Sequence, residues 1–411
     1  MTEGSIKIAV IGAGAAGLMA AGRAGENGAD VTLYEKNREP GRKLAITGKG
    51  RCNVTNDCDE NEFIKNITKN GSFLYTAAHR FTSADTKAFF EGLGVPLKTE
   101  RGNRVFPKSD KAADIVAALS GYAVRNIRKL RRERVAAIDK DGGEFIVKTE
   151  EGQARFDCVI IATGGVSYPA TGSTGDGYAF AERFGHTVET PVPSLVPLNV
   201  KGGFSGTLQG LTLKNVGLKV IDTDAEKTVY TDFGEALFTH FGLSGPIVLS
   251  ASAHMREKHA YRLVFDLKPA LDVQTLDRRL LRDFADKPTK TLSVYLRELM
   301  PASLAQEFAA YCGIDGGRTL NSITRTERFD LINSLKGYGF DVTGFRPIAE
   351  AIVTSGGVSV KEIFPKTMES RLCPGLYFAG EVIDCDAYTG GFNLQIAFCT
   401  AVTAADAASS I

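Results

Sequence analysis

Four stretches of the 411-residue sequence carry the residue types needed to hold a large anionic cofactor. The first is Gly12-Ala13-Gly14-Ala15-Ala16-Gly17, followed eighteen residues beyond Gly17 by Glu35. Gly12 permits a tight turn, Gly14 lets the backbone approach a pyrophosphate, and Gly17 lets a helix lie close to a sheet. Ala15 and Ala16 open that helix, whose free amides and positive end face the phosphates. Glu35 then accepts hydrogen bonds from the ribose hydroxyls of an adenosine. The second stretch, from Lys36 to Asn56, supplies Lys36, Arg42, Lys43, Gly50, Arg51 and Asn53, a mixture of cations, amides and glycine suited to wrapping a diphosphate. The third is Ala162-Thr163-Gly164-Gly165. The fourth runs from Gly380-Glu381 through Asp384 to Gly391-Phe392-Asn393-Leu394.

The glycine-bearing ends GAGAAG, ATGG and FAGE occur in the order used by FAD proteins built on two dinucleotide-binding folds, so the expected cofactor is FAD rather than a diffusing NAD. A reduced flavin carries negative charge near N1 and O2, and a helix starting near Asn393 would bring its positive end there. Glu381 or Asp384 is expected to hold the ribityl chain, or a phosphate through water. A second strand-GxGxxG-helix unit for NADPH is missing, because Gly172-Ser173-Thr174-Gly175-Asp176-Gly177 has the wrong spacing and no preceding strand. Either NAD(P)H binds transiently over the flavin, or the substrate itself supplies the electrons.

Other chemistries find little support. Cys52 and Cys58 occupy the region where some flavoproteins place a redox disulfide, yet no CxxC occurs among the seven cysteines. Gly242-Leu243-Ser244-Gly245-Pro246 is not a GxSxG elbow. The five histidines are scattered, which leaves no metal-ligand pair. Tyr168 and His240 are the proton-donor candidates, and the sequence assigns neither.

These residues require elements to position them. Ile6–Ile11 reads as a strand, the alanine-rich run to Asn27 as a helix, and Asp30–Tyr34 as a second buried strand. Ser72–Gly92 reads as helical. Val135–Ile138 and Phe145–Val147 form a small meander around an Asp141-Gly142-Gly143 turn, with Val135 near the adenine, and Cys158–Ala162 is a buried strand. Alternation at Val216, Leu218 and Val220 and at Tyr261, Leu263 and Phe265 predicts antiparallel sheet or barrel, while Leu271–Lys336 has helical spacing. Ala351–Val358 reads as a strand and glycine turn, Gly375–Glu381 as another strand, and the C-terminus as an alanine-rich helix. The fold class is α/β: a Rossmann-like FAD-binding domain of the glutathione-reductase type with an inserted antiparallel β-domain and a small helical subdomain. The expected boundaries are 1–194 and 346–411 for the cofactor domain, 195–270 and 331–345 for the β-domain, and 271–330 for the helices.

Composition narrows the partners. A formal net charge of +1 argues against nucleic acid as the main partner. The basic run Arg125–Arg134 is punctuated by apolar residues and reads as a solvated segment leading into a strand. No apolar run is long enough to span a bilayer, and the unpaired cysteines suit a reducing, cytoplasmic setting. The expected partner is a small-molecule substrate; the sequence is silent on oligomeric state.

GRKLAITGKGRCNVTN, ATGGVSYPATGSTGDGYAFAERFGH, GEALFTHFGLSGP and VTSGGVSVKEIFPKTMESRLCPGLYFAGEVIDCDAYTGGFNLQIAF resemble the BaiN-like (YhiN-like) bacterial NAD(P)/FAD-dependent oxidoreductases over nearly the whole chain. Lys49 stands where a glycine is common in that family. The resemblance implies tightly bound FAD contacted by Ala15, Glu35, Lys36, Arg42, Lys43, Arg51, Asn53, Val135, Thr163, Asp384, Asn393 and Leu394. It also implies either reduction of conjugated double bonds in steroid-like acids or oxidation of small aminoketones with release of hydrogen peroxide. An RNA-modifying flavoprotein is the further alternative.

Overall fold

A computed structural model describes residues 5–204, 206–256 and 258–410. Its contacts divide the chain into two compact units, Met1–Ser194 with Ile348–Ile411, and Leu195–Pro347.

The first unit is built on five parallel strands. In chain order its principal elements are β1 (Lys7–Ile11), α1 (Ala15–Glu26), β2 (Asp30–Tyr34), α2 (Arg42–Gly50), β3 (Lys129–Arg131), β4 (Cys158–Ile161), α3 (Asp176–Arg183), β5 (Leu376–Phe378) and α4 (Phe392–Ala408). The strand order is β5-β4-β1-β2-β3, with Ile8 registered between Val31 and Cys158. Ile8, Val10, Val31, Leu33, Val159 and Ile160 are wholly buried, the continuous apolar pattern of a sheet covered on both faces. Alanine and glycine make α1 thin enough to sit close to its neighbours. A Cβ on Gly22 would lie 2.3 Å from the Tyr122 ring of the helix Ala112–Asn126, and Arg23 Nε donates to Asp406 of α4 at 2.7 Å.

Three details depart from the sequence reading. Ser72–Gly92 is not one helix: it breaks at Phe81, and Thr82 restarts it with a capping box, its hydroxyl accepting from Asp85 N and its own amide donating to the Asp85 carboxylate. The meander has a third strand, Gly152–Phe156, in which only Phe156 is buried, so periodicity gives no signal for it. Gly356 and Gly357 lie inside the strand Val353–Val358 rather than in a turn. They sit at φ 96° and 131°, and side chains there would come within 2.4 Å of Thr190 O and 2.6 Å of Val382 O.

The second unit is a closed six-stranded barrel in the order Leu198–Val200, Gly242–Ser244, Lys227–Phe238, Thr212–Asp222, Tyr261–Asp266 and Tyr338–Phe345. The helices Val273–Asp286, Leu292–Leu296, Ala302–Tyr311 and Arg325–Lys336 intervene in sequence between its last two strands. Phe238, Leu263 and Phe265 of the barrel join Leu276, Leu280, Phe308 and Leu331 of the helices in one hydrophobic cluster. The helical segment therefore shares the barrel's core rather than having its own. No helix among the described residues is long and apolar enough to cross a membrane.

Two measurements test this packing. A Cβ on Gly17 would sit 1.7 Å from Gly12 O, a backbone atom that cannot step aside, so Gly17→Ala should lower unfolding stability by about 2 kcal/mol or more in denaturant melts. His186 is buried with Nε2 2.7 Å from Ser370 Oγ. Burial pulls its pKa below the ordinary histidine value, against the opposing pull of Glu362. The unfolded chain therefore binds the proton more readily, and the contribution is complete above the unfolded pKa of about 6.5 and drains away as pH falls below it. The melting temperature of His186→Asn should accordingly fall less than that of the wild type between neutral pH and pH values near 5.

Candidate cofactor site

The site begins where β1 turns into α1. Gly12, at φ 98°, donates its amide to Tyr34 O at 2.8 Å. A side chain on it would come within 2.7 Å of Ala162 O. Gly14 differs from its two partners, since a Cβ placed on it would meet no atom within 4 Å. That glycine therefore keeps a space clear rather than closing a contact. It is also the N-cap of α1 and provides no side-chain cap, so the first-turn amides keep their positive end available to an anion.

Glu35 closes the far side. Its side chain is buried, with Oε2 accepting from Ala13 N at 2.8 Å and Oε1 accepting from both Asn37 N and Asn37 Nδ2 at 2.8 Å. Three N–H donors thus hold the buried carboxyl group, which makes no ion pair among the described residues. Asn37 went unremarked in the sequence; its Nδ2 also donates to Thr171 O, which ties the loop after β4 to Glu35.

The next loop delivers its cations unequally. Lys36 pairs with Asp176 at 2.7 Å and also bonds Thr174. Arg42 is exposed, and its guanidinium donates to Asn37 Oδ1 at 3.0 Å. Lys43 pairs with Glu381 at 2.6 Å and donates to Ser167 Oγ at 2.7 Å. Arg51 lies over the Phe106 ring, 4.1 Å from its centre, and bridges Glu100 and Asp110. Its charge is thus spent on the surface hairpin of Leu97–Glu100 and Arg104–Pro107. Gly48, Lys49 and Gly50 kink α2 through left-handed backbone at φ 57°, 59° and 82°. Lys49 thus takes a conformation that glycine adopts at lower cost. Asn53 buries Oδ1 without a partner. Cys52 is fully buried and its thiol is pushed up to about 12 by desolvation, while burial and nearby acids push Cys58 to about 11. Both stay protonated at neutral pH, which makes them poor redox nucleophiles.

The ends of β4 and β5 complete the cluster. Ala162 and Thr163 lie against Gly12, and a Cβ on Gly380 would be 2.7 Å from Ala16 Cβ, so ATGG and FAGE meet the first glycine turn at the carboxyl ends of the strands. Gly164 turns at φ 76°. Thr163 Oγ1 is buried and has no partner. Asp384 is buried beside Lys69 Nζ at 2.8 Å and accepts from Asn70 Nδ2 at 3.0 Å. Gly391, at φ 102°, starts α4 without a side-chain cap and lies so close to Thr55 that a Cβ would be 2.3 Å from its carbonyl. Asn393 spends its side chain on Ala387 and Tyr388, fixing the preceding loop, so only its amide and that of Leu394 face outward from the helix start. Val135 is buried at the start of the meander. Tyr168 is half-buried at φ 50°, and burial and Glu350 raise its pKa. His240 is an exposed residue of the other unit.

The residues present fit FAD. A cleared space at Gly14, two uncapped helix starts at α1 and α4, and the orphaned buried oxygen of Asn53 suit a ligand rich in acceptors and hydroxyls. Ser167, Thr354, Asn37 and Asn70 also belong to this region and carry no motif of their own.

Comparison with known proteins agrees with this geometry. A family model described as the HI0933-like protein Rossmann domain matches residues 6–407. The chain is 30% identical to the 3-dehydro-bile acid delta(4,6)-reductase of Clostridium scindens, over 98% of this chain and 99% of that protein. It is 32% identical to the ribosomal RNA dihydrouridine synthase of Escherichia coli, over 95% of each. Among solved structures, a 3-ketosteroid-delta4-(5alpha)-dehydrogenase from Rhodococcus jostii RHA1 shares the fold with a TM-score of 0.52 at 14% identity, covering 100% of this chain and 98% of that one. The chain belongs to the HI0933-like family, and it is an FAD-dependent oxidoreductase.

Proposed function

We propose that this protein saturates a carbon–carbon double bond conjugated with a carbonyl. The observation that carries the reading is that two relatives matching nearly the whole chain are named for one kind of bond chemistry. In a 3-dehydro-bile acid the Δ4 and Δ6 double bonds are conjugated with the 3-oxo group, and in uridine C5=C6 is conjugated with the C4 carbonyl. Uridine and the Δ4 bond accept hydride at the carbon β to the carbonyl and a proton at the α carbon, and the Δ6 bond accepts them at its δ and γ carbons. Bound FAD supplies the hydride chemistry. The chain's own task is to hold the cofactor through Glu35, the amides around Gly14 and the start of α4, and to keep water from the reacting centre. NAD(P)H serves as a transient reductant on this reading, because the chain has no second glycine fingerprint to retain it.

A small organic enone is the first substrate, in keeping with a net charge of +1 and with the basic run near Arg128, in which Arg128, Arg131 and Arg134 are paired with Asp30, Glu133 and Asp176. The second is uridine in ribosomal RNA, favoured by the Escherichia coli relative at 32% identity.

The test is to reduce the flavin anaerobically and follow its reoxidation at 450 nm with a 3-oxo-Δ4 steroid acid, an rRNA fragment, and aminoacetone as control. Reoxidation by the steroid acid or the RNA, with a product two mass units heavier, is the expected result. No reoxidation by either unsaturated substrate, together with peroxide release when the oxidised enzyme turns over aminoacetone in air, would overturn the reading. A companion variant tests the cradle: Gly14→Ala should leave the melting temperature of the apoprotein close to wild type, since the added methyl meets no atom within 4 Å, yet weaken FAD binding by about tenfold or more, about 1.4 kcal/mol.

A further inference from the structure

Of the four cations that the sequence places at the cofactor, three are already neutralised by carboxylates of the chain: Lys36 by Asp176, Lys43 by Glu381, and Arg51 by Glu100 and Asp110. Among the described residues, Arg42 makes no ion pair and bonds only the side-chain oxygen of Asn37. The pair at Lys43 is as deeply set as the one at Lys36, with both side chains about four-fifths buried. Glu381 Oε2 takes Lys43, and Oε1 accepts from Ser167 Oγ and from Thr354 N, each at 2.9 Å. Thr354 Oγ1 in turn accepts the amides of Val166 at 2.9 Å and Ser167 at 3.1 Å. Gly165 is a glycine because this network passes against it: a Cβ there would lie 2.4 Å from Thr354 Oγ1 and 3.0 Å from Glu381 Oε1. Burial works to raise the Glu381 pKa, yet the Lys43 charge and the hydrogen bonds hold it below the ordinary glutamate value, so the carboxylate remains ionised.

We propose that Lys43 and Glu381 are positioning residues, a buried ion pair that fixes the loop of residues 164–175 in place, and that neither side chain binds the cofactor directly. The proposal rests on the FAD reading of the site and departs from the direct contact that family resemblance implies for Lys43. The network joins four segments: α2 through Lys43, the loop after β4 through Ser167, the strand Val353–Val358 through Thr354, and the segment after β5 through Glu381. The same loop carries Thr171, which accepts from Asn37 beside Glu35, and Thr174, which accepts from Lys36. Fixing the loop therefore fixes the neighbours of the ribose acceptor. The diphosphate charge is left to the main-chain amides and to Arg42.

Removing one member of a buried pair strands its partner, whereas removing both together does not. This separates a positioning role from a binding role. Lys43→Met, Glu381→Gln, the double variant and Arg42→Gln are prepared as apoproteins. Melting without flavin and quenching of FAD fluorescence on titration are then recorded for each. Lys43→Met should melt several degrees lower without any flavin and bind FAD about tenfold more weakly. The double variant should recover both properties, with FAD affinity within about threefold of wild type, and Arg42→Gln should weaken FAD binding and its salt dependence while melting normally as apoprotein. A double variant that binds FAD no better than Lys43→Met, or a Lys43→Met apoprotein that melts as wild type, would overturn the proposal. Failure of the wild-type apoprotein to bind FAD would instead defeat the reading on which it rests.

Discussion

The site depends on how the chain stabilises a buried carboxylate, Glu35, that makes no ion pair among the described residues. Its two oxygens collect three N–H donors, one from the glycine turn before α1 and two from Asn37. A buried ionised group left unsatisfied would cost several kcal/mol, so these donors must be held in place by something rigid. The rigidity comes from the parallel sheet. Gly12 N bonds Tyr34 O, the residue before Glu35, and so clamps the turn to the end of β2. With three donors already bound, the carboxylate keeps about one further acceptor site for a ligand hydroxyl.

Around that anion the glycines divide the work. Gly12, Gly17 and Gly380 are small because backbone or Cβ atoms press on them, whereas Gly14 faces empty space. The first three assemble the floor of the site from β1, α1, β4 and the segment after β5; Gly14 keeps the entrance open. Positive charge is distributed with comparable economy. Helix starts at α1 and α4 supply partial charges at fixed positions, while most of the lysine and arginine side chains nearby are tied to acids that shape loops. A cofactor can then be recognised largely by backbone, which does not have to be ordered on binding.

Much of this was legible in the sequence. Gly12, Gly14, Gly17 and Glu35 revealed the strand-turn-helix-strand unit because each glycine answers a separate steric need, and the apolar runs at Val159–Ile161 and Leu376–Phe378 revealed two more strands of the sheet, whereas the edge strand Lys129–Arg131 lies in a basic run that reads as a solvated segment. The barrel showed in the alternation at Val216–Val220 and Tyr261–Phe265. Side-chain partnerships were not legible. Nothing local tells Lys43 that it will meet Glu381, 338 positions away, or tells Arg51 that a hairpin will offer two acids. Gly356 and Gly357 read as a turn because glycine is a strand breaker, whereas tertiary crowding by Thr190 and Val382 required them inside a strand. Ser167 and Thr354 had no signature, since single hydroxyls recur throughout any soluble chain.

The central claim is that this fold retains an intact FAD as its resident cofactor. The most direct measurement is the identity and stoichiometry of nucleotide released when protein purified without added cofactor is denatured and the supernatant is resolved chromatographically. The account predicts FAD at about one equivalent per chain, as a tightly held cofactor requires. Release of NAD, or of no nucleotide from protein that also fails to take up FAD, would contradict it.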